Sequence, residues 1–356
     1  MRINNRTCTR CVNDKTVKHI SFNKDGVCSF CEAYDLIKDK LHDYENLERL
    51  FLKKIKNSGH KYDAAVGFSG GKDSTYVLYK LVKQYGLKVK AFTLDNGFMS
   101  EEAKEKINAI VKELGVEHEY VVYDNAILKK MYKCIVSRYL SPCIACAFLG
   151  YAAMINYPSK IDAAVMIHGR SIPQMFRSYQ IKDTDYFKPM IEDGLSEDSK
   201  DPAILYEQMI QKISTLVDKD LAKTIKEVLL IDGYKNGFRP FIGYFLYHKY
   251  DKDLIIKELT ENTSWRVTSE EEHFDCLIHH GALYLKNLVA RRSHLMPEIS
   301  VQIREGTISR EEGLEKLKTN DDIELANKEL KMLCEYANIS YKRLMFKAKL
   351  YSKRWW

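Results

Sequence analysis

The run Ser69-Gly70-Gly71-Lys72-Asp73-Ser74-Thr75 gathers two glycines, an ammonium, a carboxylate and three hydroxyls within seven residues. Before it, Ala64 to Phe68 reads as a short buried strand; after it, Ser74 to Tyr85 carries apolar residues at helical spacing. A strand, a Gly-rich turn and a helix start together make an anion site. The first amides of a helix lack intrahelical partners, and the helix dipole favours negative charge there. Gly70 and Gly71 let the backbone approach a ligand with no Cβ in the way. An ordinary strand-to-helix turn would explain the two glycines but not the lysine and hydroxyls around them. The pattern therefore predicts phosphate binding by Phe68, Ser69, Gly70, Gly71, Lys72, Asp73, Ser74 and Thr75.

A second constellation stands at the amino terminus. Cys8 and Cys11 in "CTRC" are followed by Cys28 and Cys31 in "CSFC", with a hairpin signal at Asn23-Lys24-Asp25-Gly26 between them. Two such knuckles match a four-thiolate zinc site, and four protein ligands close the shell, which makes the zinc structural. The nine cysteines are odd in number and clustered, which points to metal or redox chemistry rather than disulfides. Cys143 and Cys146 in "LSPCIACAFLGYAAM" follow a proline at a helix start, where thiol pKa falls. They are candidate nucleophiles or metal ligands, the alternative being two small residues that pack a helix on the sheet. Two cysteines do not hold an iron–sulfur cubane, so Cys134 or Cys276 would have to supply a third thiolate.

The elements that must position these groups alternate. Strands are expected at Ala64–Phe68, Val89–Leu94, His118–Tyr123 and Ala163–His168, with helices at Ser74–Tyr85, Glu101–Leu114 and about Cys143–Asn156. That order predicts an α/β fold with a doubly wound parallel sheet and ligands at the carboxyl ends of its strands. Asp95, with Asn96 and Gly97, closes the second strand where an adenosine could be gripped. The fourth strand ends in "IHGRSIPQMFRSY", which offers Gly169 to the nucleotide and His168, Arg170 and Arg177 to a substrate, with Gln174 alongside. "GFRPFIGYFLYHKY" reads as a returning last strand, and the chain from about Asp251 as helices. The expected division is a zinc ribbon at 1–35, a nucleotide domain at 36–250 with a helical insertion at about 200–232, and a helical region at 251–356. Within the last, His279, His280, Arg291 and Arg292 could face a substrate or partner, although adjacent histidines share no helix face. The basic, aromatic tail "YKRLMFKAKLYSKRWW" reads first as an amphipathic helix docked on the protein and second as a binder of polyanions.

Composition limits the partners. A net charge of +7 on 356 residues suits a polyanionic ligand such as ATP and permits nucleic acid without demanding it. No apolar run approaches the ~20 residues of a membrane span, and "MRINNRTCTRC" is no signal peptide, so the expected location is cytoplasmic.

"SGGKDS" resembles the pyrophosphate-binding loop of the N-type ATP pyrophosphatases, with their adenine nucleotide alpha hydrolase-like fold, rather than the P-loop of kinases. The resemblance implies that an acceptor oxygen is activated by transfer of AMP. Lys72 and the amides of Gly70 to Ser74 would hold pyrophosphate, and Asp73 would hold Mg²⁺. More widely, the cysteine head, the "YDAAVGFSGGKDSTYVLY" segment and "RRSHLMPEISVQIREGTISREEGLEKL" are similar to the N-acetyl sugar amidotransferase family. That likeness implies replacement of an acetamido oxygen by ammonia, giving acetamidino sugars for lipopolysaccharide and other surface polysaccharides or for nonulosonic acids. It also implies separate glutaminase and ammonia-supplying subunits. Cys143 and Cys146 depart from this pattern and resemble the tRNA-thiolating branch of the pyrophosphatases, which use a persulfide or an iron–sulfur cluster; sulfur transfer to tRNA or a small molecule is the alternative reading. A zinc module that binds RNA without catalysis would leave Lys72 and Asp73 unexplained.

Overall fold

The structure, a computed structural model, describes residues 7–17, 20–55, 59–174, 211, 214–215, 217–267, 276–290, 292–318 and 322–353. Arg177, Arg291, the two terminal tryptophans and residues 200–210 of the expected helical insertion lie outside the described residues.

Five parallel strands form one sheet in the order β3-β2-β1-β4-β5: β1 Tyr62–Gly67, β2 Val89–Asp95, β3 Glu117–Val122, β4 Ala163–His168 and β5 Phe241–Gly243. The chain steps outward from β1 through β2 to β3, then returns to the other flank of β1 as β4. The order therefore reverses between β1 and β4, where Gly67 pairs with His168. A crevice opens at such a switch point, and the two segments leaving β1 and β4 flank it. β1 is central because Ala64, Ala65 and Val66 are small or β-branched and wholly buried on both faces.

Most expected elements form with small shifts at their ends. The helix after the Gly-rich turn begins at Lys72, with Gly71 as its N-cap in an extended conformation, and gives way at Lys80–Gln84 to a π-helical turn. The helix carrying Cys143 and Cys146 is longer than expected, Pro142–Ile161, and keeps Pro158 near its end. A helix not anticipated, Asn125–Tyr139, is capped by Asp124 and buries Leu128, Met131, Tyr132, Ile135 and Val136. Only Phe241–Gly243 of the "GFRPFIGYFLYHKY" segment is a strand; Tyr244–Tyr247 then turns into a short buried helix.

The amino-terminal hairpin turns at Gly26 (φ 77°), closed by Gly26 N–H donating to Asn23 O at 3.1 Å. It packs into the same core as β1, the Tyr44–Lys54 helix and the Met296–Arg304 helix. A second core joins the Asn125–Tyr139 and Pro142–Ile161 helices to the carboxy-terminal His279–Ala290, Ile323–Tyr336 and Tyr341–Lys353 helices. The tail helix docks through Leu344 and Ala348, while Phe346, Leu350 and Tyr351 stay exposed. No helix among the described residues is long and apolar enough to cross a membrane.

Candidate active site

The turn after β1 is locked by its own hydroxyls. Ser69 Oγ and Ser74 Oγ lie 3.0 Å apart, Ser74 Oγ donates to Gly71 O at 3.1 Å, and the Ser69 amide donates to Ser74 Oγ at 3.2 Å. Gly70 takes a left-handed φ of 76°, and a Cβ there would come within 2.8 Å of Ile107 Cγ1. That conformation and that contact both require glycine. Lys72 and Asp73 occupy the first turn of the helix, with the Lys72 ammonium on the Asp73 carboxylate. Tyr250, 178 residues away along the chain, completes the pair. Its hydroxyl lies 2.7 Å from Lys72 Nζ and 3.2 Å from Asp73 Oδ1, and its ring centroid 4.9 Å from the ammonium. No local pattern marks Tyr250; its partners come from the other end of the nucleotide fold.

These groups open into a cleft of 1610 Å³. A single small-molecule pocket takes about 300–1,000 Å³, so the cleft has room for a nucleotide and a second substrate. Phe68, Ser69 and Gly71 to Ser74 line one side, and His168 to Gln174 another. His42, Trp265, Arg266, Glu298, Gln302 and Glu305 also line it, none of which the sequence singled out.

Gly169 allows the second flank to close on the first. A Cβ on it would sit 2.9 Å from Asp73 O and 3.1 Å from Ser74 Cα, so the backbone after β4 rests directly on the start of the Lys72 helix. His168 is buried, its Nδ1 accepting from the Arg170 amide at 3.2 Å. Burial, reinforced by the charge of Arg170, pushes its pKa down to about 3. His168 is therefore a neutral imidazole at physiological pH. Arg170 lines the cleft with its guanidinium on the Tyr151 hydroxyl and 4.8 Å from the centre of that ring.

Four candidate residues do not line the cleft. Asp95 Oδ1 accepts from the Gly97 amide at 2.9 Å, its other oxygen lies 3.7 Å from Lys104, and Leu94 and Asn96 line the cleft. Thr75 is wholly buried with its hydroxyl unpartnered, behind the residues that line the cleft. His279 and His280 lie away from the cleft, and His280 Nδ1 is 2.9 Å from the buried Glu329, which also accepts from the Gly281 amide at 2.7 Å.

Cys146 lines the cleft and accepts from Asn96 Nδ2 at 3.4 Å; Cys143, one helical turn earlier, is exposed. Cys276 forms an isolated bridge to Met99. The buried hydroxyl of Tyr132 donates to Asn96 O at 3.0 Å. Its pKa is raised first by burial and then by Cys146, Cys276 and Cys143, so all three thiols lie within electrostatic reach of it. Cys134 and Cys276, the two candidates for a third thiolate, are both part-buried and pack against the same helical core.

At the amino terminus Cys8, Cys11, Cys28 and Cys31 are buried with all four sulfurs within 4.8 Å of one another. Neighbouring sulfurs are 3.6 to 3.9 Å apart. Four thiolates at about 2.3 Å from a tetrahedral ion would stand about 3.8 Å from each other, so the set fits one metal ion.

The segment that carries the loop is QueC-like: residues 63–135 match the family model of queuosine biosynthesis protein QueC. More particularly, residues 233–356 match the model described as LPS biosynthesis protein WbpG-like, C-terminal domain. The chain thus joins a QueC-like PP-loop segment to a WbpG-like carboxy-terminal domain. Two uncharacterized proteins of Methanocaldococcus jannaschii are 24% identical over 203 residues (52% of this chain, 72% of the relative) and 32% identical over 139 residues (39% and 51%). A glutamine-hydrolyzing GMP synthase of Pyrobaculum aerophilum is 28% identical over 115 residues, 32% of this chain and 23% of that enzyme. Among solved structures, the U34-tRNA thiolase NcsA of Methanococcus maripaludis with its four-iron–four-sulfur cluster aligns over 95% of each chain at 15% identity and a TM-score of 0.37.

Proposed function

We propose that this protein is an ATP-dependent amidotransferase that adenylates the acetamido oxygen of an N-acetyl sugar or nucleotide sugar and lets ammonia displace AMP. The observation that carries the reading is a PP-loop at the switch point of the sheet, opening into a cleft larger than one nucleotide needs. The acetamido oxygen attacks the α-phosphate, the bond to the β-phosphate breaks, and pyrophosphate leaves onto Lys72 and the amides of Gly70 to Ser74. Ammonia then adds at the activated carbon, and AMP departs with the former acetamido oxygen to leave an amidine. Asp73, the one carboxylate of the Ser69–Thr75 turn, suits Mg²⁺, which takes one or two protein carboxylates plus substrate phosphates. A bound Mg²⁺ would offset the charge developing between the α- and β-phosphates. The four-cysteine centre takes zinc in a structural role.

The WbpG-like match to an LPS biosynthesis domain supports a sugar acceptor destined for a surface polysaccharide. The partial likeness to a glutamine-hydrolyzing enzyme supports ammonia drawn from glutamine, which here requires separate partner subunits. The work is assigned to the cytoplasm, where ATP and nucleotide sugars meet.

A second reading rests on the three thiols around Tyr132, with Cys146 on the cleft wall. Cys143, Cys146 and Cys276 would then hold an iron–sulfur cluster or carry a persulfide, and the reaction would be sulfur transfer to tRNA or a small molecule. Exchange of labelled pyrophosphate into ATP decides between these chemistries when run with N-acetyl sugars and with tRNA. Exchange that depends on an N-acetyl sugar and disappears in Lys72→Ala supports amidation. Exchange that depends on tRNA, in a protein that carries iron and sulfide when purified without oxygen, rejects it.

A further inference from the structure

The carboxy-terminal segment grips the four-cysteine centre with three residues. Arg304, last residue of the Met296–Arg304 helix, is buried with Nη1 3.8 Å from Cys11 Sγ and 3.9 Å from Cys31 Sγ. Among the described residues no carboxylate pairs with this guanidinium, and its Nε has no hydrogen-bond partner. Arg310 donates to Cys11 O at 3.2 Å and to Cys8 O at 3.1 Å. Ser300, wholly buried, donates to Asn13 Oδ1 at 2.9 Å. The next residue after Arg304 reaches the cleft: Glu305 Oε2 lies 2.9 Å from His42 Nε2, and both line the cleft that the PP-loop also lines. Two consecutive residues therefore join the metal centre to the cleft wall.

We propose that the four-cysteine centre is a metal-dependent latch for the carboxy-terminal wall of the cleft, with Arg304 as the counter-charge that reads whether the metal is bound. A divalent ion with four thiolates carries two net negative charges, and Arg304 neutralises one of them. Without the ion the four sulfurs lose the common centre that holds Cys11 Sγ and Cys31 Sγ against Arg304. A buried guanidinium with no fixed acceptor is an arrangement that proteins avoid by exposing the charge to water. As Arg304 leaves, Glu305, His42 and the end of the helix lose their anchor, and this part of the cleft wall loosens. The inference concerns the metal centre and stands whichever reaction the cleft performs.

The test uses the full-length protein and zinc as the probe. Arg304→Met should bind zinc ten- to a hundredfold more weakly in competition with a chromogenic chelator, the usual loss when an outer-shell partner is removed. Arg304→Lys, which keeps the charge, should recover part of that loss. Stripping zinc from the wild type should raise hydrogen exchange over residues 296–308 while β1 keeps its protection. Unchanged zinc affinity in Arg304→Met would overturn the proposal, as would unchanged exchange over 296–308 in the stripped protein. Loss of protection in β1 as well would also sink it, because the centre would then be needed for the whole fold rather than for one wall. Should Arg304→Met fail to fold, the stripped wild type decides alone.

Discussion

Replacing Gly169 by alanine tests whether the segment leaving β4 positions the nucleotide loop. The added Cβ would stand 2.9 Å from Asp73 O, 3.0 Å from Asp73 C and 3.1 Å from Ser74 Cα. All three are backbone atoms of the helix that starts the PP-loop site, so no side chain can swing away to make room. Overpacking of this kind costs about 1–3 kcal/mol. The strand end is fixed by pairing of His168 with Gly67 and Gly243, which leaves the helix start as the part able to move. If the strain is relieved there, Mg·ATP affinity should fall about 5- to 150-fold, and any remainder should appear as lost stability. Isothermal calorimetry with Mg·ATP and urea unfolding, read together, should account for the whole penalty. Gly86→Ala is the control. Its φ of 63° makes alanine strained there too, but a Cβ meets nothing within 4 Å, so stability should drop by about 1 kcal/mol with ATP affinity unchanged. Wild-type stability and wild-type ATP affinity in Gly169→Ala would refute the packing argument.

Tyr250→Phe removes the hydroxyl shared by Lys72 and Asp73. Hydrogen bonds to charged groups are worth about 1.5–3 kcal/mol, so Mg·ATP affinity should fall about ten- to a hundredfold by calorimetry; wild-type affinity would remove Tyr250 from the site. The buried His168 predicts acid sensitivity. With its pKa at about 3 in the fold, below the ordinary value near 6.5, the unfolded chain takes up a proton that the native state refuses as pH falls through 6.5 toward 3. Its share of stability is thus complete above pH 6.5 and is lost at up to about 1.4 kcal/mol per pH unit below it. Urea unfolding of His168→Gln between pH 6 and pH 5 should show a correspondingly shallower slope than wild type, and equal slopes would contradict the assignment. His118, pushed down to about 4 mainly by burial, acts in the same direction in both proteins and cancels from the comparison.

The chemistry-bearing local motifs were legible because their partners are close in the chain. Gly70 and Gly71 announce a tight turn, Ser69 and Ser74 lock it from five residues apart, and the two Cys-x-x-Cys knuckles flank one hairpin. The parallel sheet followed from the alternation of strands and helices, since parallel pairing needs crossovers long enough to hold a helix. The Asn125–Tyr139 helix is less legible, because Lys129, Lys130, Lys133 and Arg138 interrupt the apolar residues that it buries. Asp95 shows a limit of another kind. A carboxylate at a strand end looks like a ribose ligand, and spacing alone does not show that the Gly97 amide and the Lys104 ammonium are its neighbours in the fold.

What the sequence determined by itself was the anion-binding turn, the four-thiolate set and the order of the elements, all products of short-range sterics and periodicity. What only the tertiary structure decided was who joins them across long chain separations. Tyr250 reaches Lys72, Arg304 reaches Cys11 and Cys31, and Cys143, Cys146 and Cys276 all come within electrostatic reach of Tyr132. Those meetings depend on how helices pack on a sheet, where burial and charge compensation choose the partner and spacing along the chain carries no record of it.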